Sequence, residues 1–221
     1  LTVTGCNGGL QVSDFDGTLT VSGSVTINNP SGSEIGISLT NTFPTKHTAP
    51  TFIFNGPVSV TQGGDAISIL GNGPTAKVSF ANLKSAISSQ GGAFSATSLS
   101  SLVLKGGAKL SGSHGPAFYV DSASTVTAVV GQLTSAQSVD SAVRLTNVVS
   151  GSLLVTGTTT VPSASVDGLR LTGLGAVNVT FVGLVTVTSS GTSIDLTNNG
   201  PQFSANFWAL GNLASASASG F

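Results

Sequence analysis

Along most of the chain apolar side chains alternate with Ser, Thr and Asn, and the alternation recurs in units of about 25 residues. A small residue marks each unit: Gly23, Gly56, Ala81, Gly106, Gly131, Gly157, Gly183 and Ala209, at spacings of 33, 25, 25, 25, 26, 26 and 26. Two positions before it stand Val21, Phe54, Ser79, Leu104, Val129, Val155, Phe181 and Phe207. Two positions after it stand Val25, Val58, Leu83, Ala108, Leu133, Thr159, Val185 and Gly211. Three positions after it every residue is polar, from Thr26 to Asn212. A period of two is that of a strand with one buried face. A further strand in each unit carries the inward pairs Ile37/Leu39, Ile67/Ile69, Phe94/Ala96, Phe118/Val120, Val143/Leu145, Leu169/Leu171 and Ile194/Leu196. Asn41, Asn72, Ser98, Ser122, Asn147, Gly173 and Asn198 follow as turn residues.

A unit of this size cannot bury its apolar face alone, whereas coaxial stacking buries a continuous column. The fold class that follows is all-β: a right-handed parallel β-helix (β-solenoid) of about 8–9 rungs of ~25 residues. The small residue sits at a corner where backbones approach closely. A β-sandwich also spaces its strands by about 8–12 residues, but it has no reason to repeat for eight cycles. Residues 1–221 are expected to form one domain, with an insertion loop at about 42–50 and a cap or docking rung at 202–221. The units around Ala81 and Gly131 place polar residues inward (Lys77 and Ser79; Thr127 and Ser135), which predicts a slip or bulge there.

Composition narrows the function. Seven Lys+Arg and eight Asp+Glu make the chain only 7% charged. Such a chain offers no basic surface for nucleic acid and no polybasic membrane patch, and no apolar run is long enough to span a bilayer. Cys6 is alone, so it forms no intrachain disulfide or thiolate metal site. Low charge and scarce cysteine suit an extracellular or cell-surface protein.

The predicted outer surface is mostly Ser, Thr and Asn. One flank reads as apolar on its outward side: Ile53, Val78, Phe80, Val103, Val130, Leu154, Val182, Leu184, Trp208 and Leu210. A strand apolar on both faces is usually covered on both, so these residues are the expected interface with a flap, another subunit or a ligand. The open end rungs are a second expected contact, because uncapped strand edges template further pairing.

No specific catalytic motif is present. His47 and His114 lie in loops rich in Gly, Pro and Thr. Asp140 and Asp167, in the similar runs Ser138-Val139-Asp140 and Ser165-Val166-Asp167, fall on neighbouring rungs and are the best catalytic candidates. Stacked carboxylates about 5 Å apart could serve glycoside hydrolysis; turn capping by each Asp is the plainer reading. Arg144, Arg170 and Asp195 share an outward row. No metal or other cofactor is expected, since calcium needs carboxylate clusters.

The runs Thr20–Ile27, Val177–Val187 and Thr192–Asn198, the tetrads Phe52–Asn55 and Phe203–Asn206, and Gly91-Gly92-Ala93-Phe94 carry a family likeness. The chain resembles the pectin-lyase-like right-handed β-helices, and among them the passenger regions of autotransporter and polymorphic outer-membrane adhesins. The resemblance implies a non-enzymatic structural or adhesive surface protein. Its expected partners are copies of itself, as a fibre or lateral oligomer, or another surface protein or glycan, with no nucleic acid and no membrane insertion. The alternative is a polysaccharide-acting β-helix, a lyase, hydrolase or tailspike-like protein. Charges gathered in one groove would favour that alternative; along the sequence the 15 charged residues look dispersed.

Overall fold

The structure is a computed structural model that describes residues 1–40, 50–71, 76–88 and 90–215. It is a parallel β-solenoid of about 8 turns of about 26 residues, with no helix among the described residues. All the strand pairings are parallel, each to the equivalent segment one turn away. The insertion expected at 42–50 lies outside the described residues except for Pro50, as do positions 41 and 72 and everything after residue 215.

Each turn has three segments. The first is short, as in Ile37–Thr40, Ile67–Leu70 and Leu169–Thr172. It ends at a residue with positive φ: Asp14 (51°), Ser98 (56°), Ser122 (58°), Asn147 (54°), Gly173 (67°) and Asn198 (57°). Left-handed backbone at this point turns the chain sharply, and Asn, Asp and Gly tolerate it best. The second segment runs to the small-residue corner and the third runs away from it. In Phe118–Ser135 the three segments form one unbroken strand.

The corner is small because the turns touch there. A Cβ on Gly56, Gly157 or Gly183 would overlap the carbonyl oxygen of Gly23, Gly131 or Gly157, respectively. Gly131 stands over Gly107 rather than Gly106. A second column of small residues enters each first segment: Gly9, Gly36, Ala66, Ala93, Ala117, Ala142, Gly168 and Ser193. Carbonyls of this column accept ladder bonds across the turns, as Ile37 N–H donates to Ala66 O (2.8 Å) and Val143 N–H to Gly168 O (3.0 Å). The third segments end on buried polar side chains that satisfy the following loops. Asn29 accepts from Cys6 N–H (3.1 Å), Gln62 Nε2 donates to Asn7 O and Glu34 O (2.7 Å each), and Ser135 donates to Gly115 O (3.0 Å). Buried backbone groups need such partners.

The bore is filled by Val, Ile, Leu and Phe from Val25 to Ile194. Phe54 stacks on Phe80 (centroids 4.6 Å), Phe94 on Phe118 (5.7 Å) and Phe181 on Phe207 (5.1 Å).

The expected slips are real, and they correct the inward and outward assignments. In most turns four positions separate the last inward residue before the corner from the first after it, as from Phe54 to Val58 or Val155 to Thr159. At Ala81 and Gly131 the step is three, from Phe80 to Leu83 and from Val130 to Leu133. The register shifts between Phe54 and Pro57 and between Ala128 and Gln132 record this shorter corner. Val78, Phe80 and Val130 therefore point into the core, fully buried, and not outward. Lys77, Ser79, Thr127 and Val129 point out in their place, while Ser135 is buried as expected. Leu196, expected inward, is exposed.

Candidate functional site

The register of the first segments lines up one outward row: Gln11, Ser38, Ser68, Ser95, Tyr119, Arg144, Arg170 and Asp195. The row is neutral in the early turns and charged in the later ones. Two stacked guanidinium groups repel, and carboxylates bracket each of them. Arg144 lies 3.3 Å from Asp140 and 3.9 Å from Asp121; Arg170 lies 3.8 Å from Asp195 and 3.9 Å from Asp167. The Arg144 guanidinium also sits 4.9 Å from the centre of the Tyr119 ring. Such half-exposed pairs are each worth about 0–1 kcal/mol. The charges that look dispersed along the chain are thus partly gathered on this face.

Asp140 and Asp167 reach this face but not as an equivalent pair. Arg144 pairs with Arg170 at a spacing of 26, so the 27-residue interval sets Asp167 in register with Ser141. Asp140 Oδ1 accepts from Ser141 N–H (2.7 Å) and its Oδ2 faces Arg144. Asp167 Oδ1 accepts from Thr192 N–H in the next turn (3.0 Å) and its Oδ2 faces Arg170. Asp65 plays the same part earlier, accepting from Gly92 N–H (2.6 Å). All three cap loops as Asp does when it competes for backbone amides. A general acid or nucleophile needs a carboxyl oxygen free to meet substrate, and the oxygens of Asp140 and Asp167 are each engaged.

The Asp121 carboxyl is held below its ordinary range. Partial burial raises its pKa, but hydrogen bonds from Asn147, Thr146 and Ser122 and the nearby Arg144 outweigh that and leave it lowered. Its charge therefore supports the fold in full above the unfolded value of about 3.9, and the support disappears as acid protonates the folded carboxylate. The expected result is that Asp121→Asn lowers the melting temperature above about pH 4, where the charged carboxylate supports the fold, and changes it little in stronger acid, where the wild-type carboxyl is protonated, so the acid limb flattens. Thermal melts at stepped pH measure it; an unchanged acid limb would count against this reading.

A cavity of about 200 Å³ opens on the same face, lined by Asp65, Gly92, Ser95, Pro116, Tyr119 and Asp140. It exists because Tyr119 projects above two serines, Ser95 and Ser68, in the turns before it. The sequence reading missed Asp65 and Tyr119 as members of a site. Among the described residues no three His, Cys, Asp or Glu side chains converge as a metal site. His114 is exposed; His47 lies outside the described residues.

The expected apolar flank breaks up. Besides the three residues now in the core, Ile53, Val103, Leu154 and Val182 do face outward, half-buried. Ile53 and Val103 belong to the row Thr20, Ile53, Ser79, Val103, Thr127, Ser152, Asn178 and Ser204, which is otherwise polar. Leu184 (48% exposed), Trp208 (72%) and Leu210 (46%) are open to solvent on the last two turns. Of the expected flank, the residues open to solvent are those at that corner.

No family model matches the chain, and no curated protein or solved structure matches it either.

Proposed function

We propose that the chain is a non-enzymatic structural or adhesive β-solenoid of an extracellular or cell-surface protein, and that it associates with copies of itself. The observation that carries this reading is a continuous column of buried apolar side chains beside which Leu184, Trp208 and Leu210 are open to solvent. Such a column forms a stiff rod whose stability comes from each turn resting on its neighbour. The Trp208 corner offers apolar area that further burial would stabilise. The likeness to the passenger regions of adhesins supports the same reading.

Electron microscopy and sedimentation of the purified chain test it: rods or oligomers that grow with concentration are expected, and compact single particles at every concentration would overturn self-association. The change Trp208→Ser removes a side chain that is mostly in water, so it is expected to alter folding stability by under about 0.5 kcal/mol while weakening assemblies that persist in high salt. Equal assembly by both proteins in high salt would remove the Trp208 corner from the contact.

The Tyr119 cavity and its two carboxylates favour a second reading, a polysaccharide-acting β-helix. Turnover of acidic polysaccharides that disappears in an Asp65→Asn, Asp140→Asn double variant would put this reading first.

A further inference from the structure

The described lysines are not scattered. Lys77, Lys84, Lys105 and Lys109 all lie on two adjacent turns, around the corner between the second and third segments, and all are exposed. Lys77 pairs in register with Ser101, and Lys109 with Ser85, the residue beside Lys84. Adjacent strands lie about 4.8 Å apart, so Lys84, Lys105 and Lys109 stand within a few residues of one another, on either side of the corner. The ion pairs among described residues are all made by Arg144 and Arg170; none involves a lysine. The first-segment face carries the opposite balance. Asp65, Asp121, Asp140, Asp167 and Asp195 stand there against Arg144 and Arg170. Its cavity, at about 200 Å³, is smaller than the roughly 300–1,000 Å³ of small-molecule sites and has room for one side chain. The walls suit a lysine. Tyr119 and Pro116 offer apolar surface to an aliphatic stem, and the Asp65 and Asp140 carboxylates, each oxygen keeping a second lone pair beyond its amide or Arg144 contact, offer negative charge to its head. Arg144, which lies over the Tyr119 ring, is not among the groups lining the cavity. An aromatic face beside carboxylates is a good environment for an alkylammonium group.

We propose that the Tyr119 face of one copy binds the lysine corner of a second copy, with a lysine side chain entering the Asp65–Tyr119–Asp140 cavity. This rests on the self-association proposed above and names one of its contacts. The two patches belong to different segments of the turn, so one molecule can use both at once. The contact is heterologous, joining two different surfaces, and propagates sideways as an open array instead of closing as a symmetric pair. Charge complementarity of this kind sets orientation and encounter rate as well as affinity.

Sedimentation velocity on the full chain tests it. Association is expected at about 0.01 M salt and is expected to weaken at about 0.5 M, where the screening length falls from roughly 30 Å to under roughly 5 Å. A Lys84→Glu, Lys105→Glu, Lys109→Glu variant and an Asp65→Lys, Asp140→Lys variant are each expected to associate at least about tenfold more weakly alone. Mixing them is expected to restore association, because each supplies the face that the other lacks. Tyr119 is the only tyrosine in the chain, so its isotope-labelled ring gives one set of magnetic-resonance signals from the cavity itself. Those signals are expected to shift when unlabelled wild-type chain is added and to stay in place when the lysine variant is added. This readout needs only the exposed lysines to be changed and so survives any misfolding of the aspartate variant. Association that ignores salt and both variants, or a Tyr119 ring that responds equally to both additions, would overturn this contact and leave self-association standing. A wild-type chain that stays monomeric in low salt would overturn both.

Discussion

Replacing Phe80 with alanine is expected to lower the unfolding free energy by about 3–5 kcal/mol, the range for removing a buried aromatic ring. Phe80 is fully buried, stacks on Phe54 at 4.6 Å and meets Phe94 edge-on at 6.3 Å. Removing its ring leaves two turns without their shared contact, and in a linear stack each turn depends on its neighbours. The comparison variant is Ile53→Ala. Ile53 belongs to the outward row and is half-buried, so its loss should cost under about 1 kcal/mol. Denaturant titration of both proteins measures the difference. Near-equal costs would mean that Phe80 faces outward, as strict alternation through the corner suggests, and would remove the short corner at Ala81. Self-association should be unaffected by Phe80→Ala in conditions where the variant stays folded, because the ring touches nothing outside the bore.

The same residues show how far the sequence could be read. The 25–26-residue spacing and the turn residues Ser98, Ser122, Asn147, Gly173 and Asn198 were legible, because left-handed backbone selects Gly and Asn and tolerates Ser in a position repeated each turn. The parity of Phe80 and Val130 was not. Alternation tells only that neighbours along a strand face opposite ways, and a corner shorter by one residue inverts the assignment for everything on its far side. The surplus of polar residues assigned inward, Ser79 and Thr127, was the visible sign of that inversion. The second small column was also present in the sequence, as the pairs Gly36-Ile37, Ala66-Ile67, Ala93-Phe94, Ala117-Phe118, Ala142-Val143 and Gly168-Leu169. Its meaning depends on a neighbour one turn away and becomes plain only when the turns are stacked. The site suffered most from this. Asp65, Tyr119 and Asp140 lie as much as 75 residues apart, and a one-residue difference between 26 and 27 decides whether Asp140 and Asp167 stand in one row. Charges that look scattered along a chain become patches once each turn returns them to the same side.

The corner glycines give the second large effect, and it separates close packing from mere turn preference. Gly157→Ala is expected to cost about 2–3 kcal/mol, the upper part of the usual range for a single substitution, because closely stacked backbone has to move. The added Cβ would overlap the carbonyl oxygen of Gly131, and backbone on the other side is just as close, since a Cβ on Gly183 would overlap the carbonyl of Gly157. Neither neighbour can give way without pulling its own turn out of register. Gly23 occupies the same place in the repeat, yet a Cβ there meets nothing within 4 Å. Gly23→Ala is therefore expected to be neutral or to stabilise by up to about 1 kcal/mol, through the lower entropy of the unfolded chain. Thermal or denaturant unfolding of the two variants is the measurement. If both alanines cost the same, the glycines serve a local bend and the turns do not rest on one another at the corner. If only Gly157→Ala is costly, the sequence column of Gly and Ala records a contact between turns, and the residue at each corner is set by the turn beneath it.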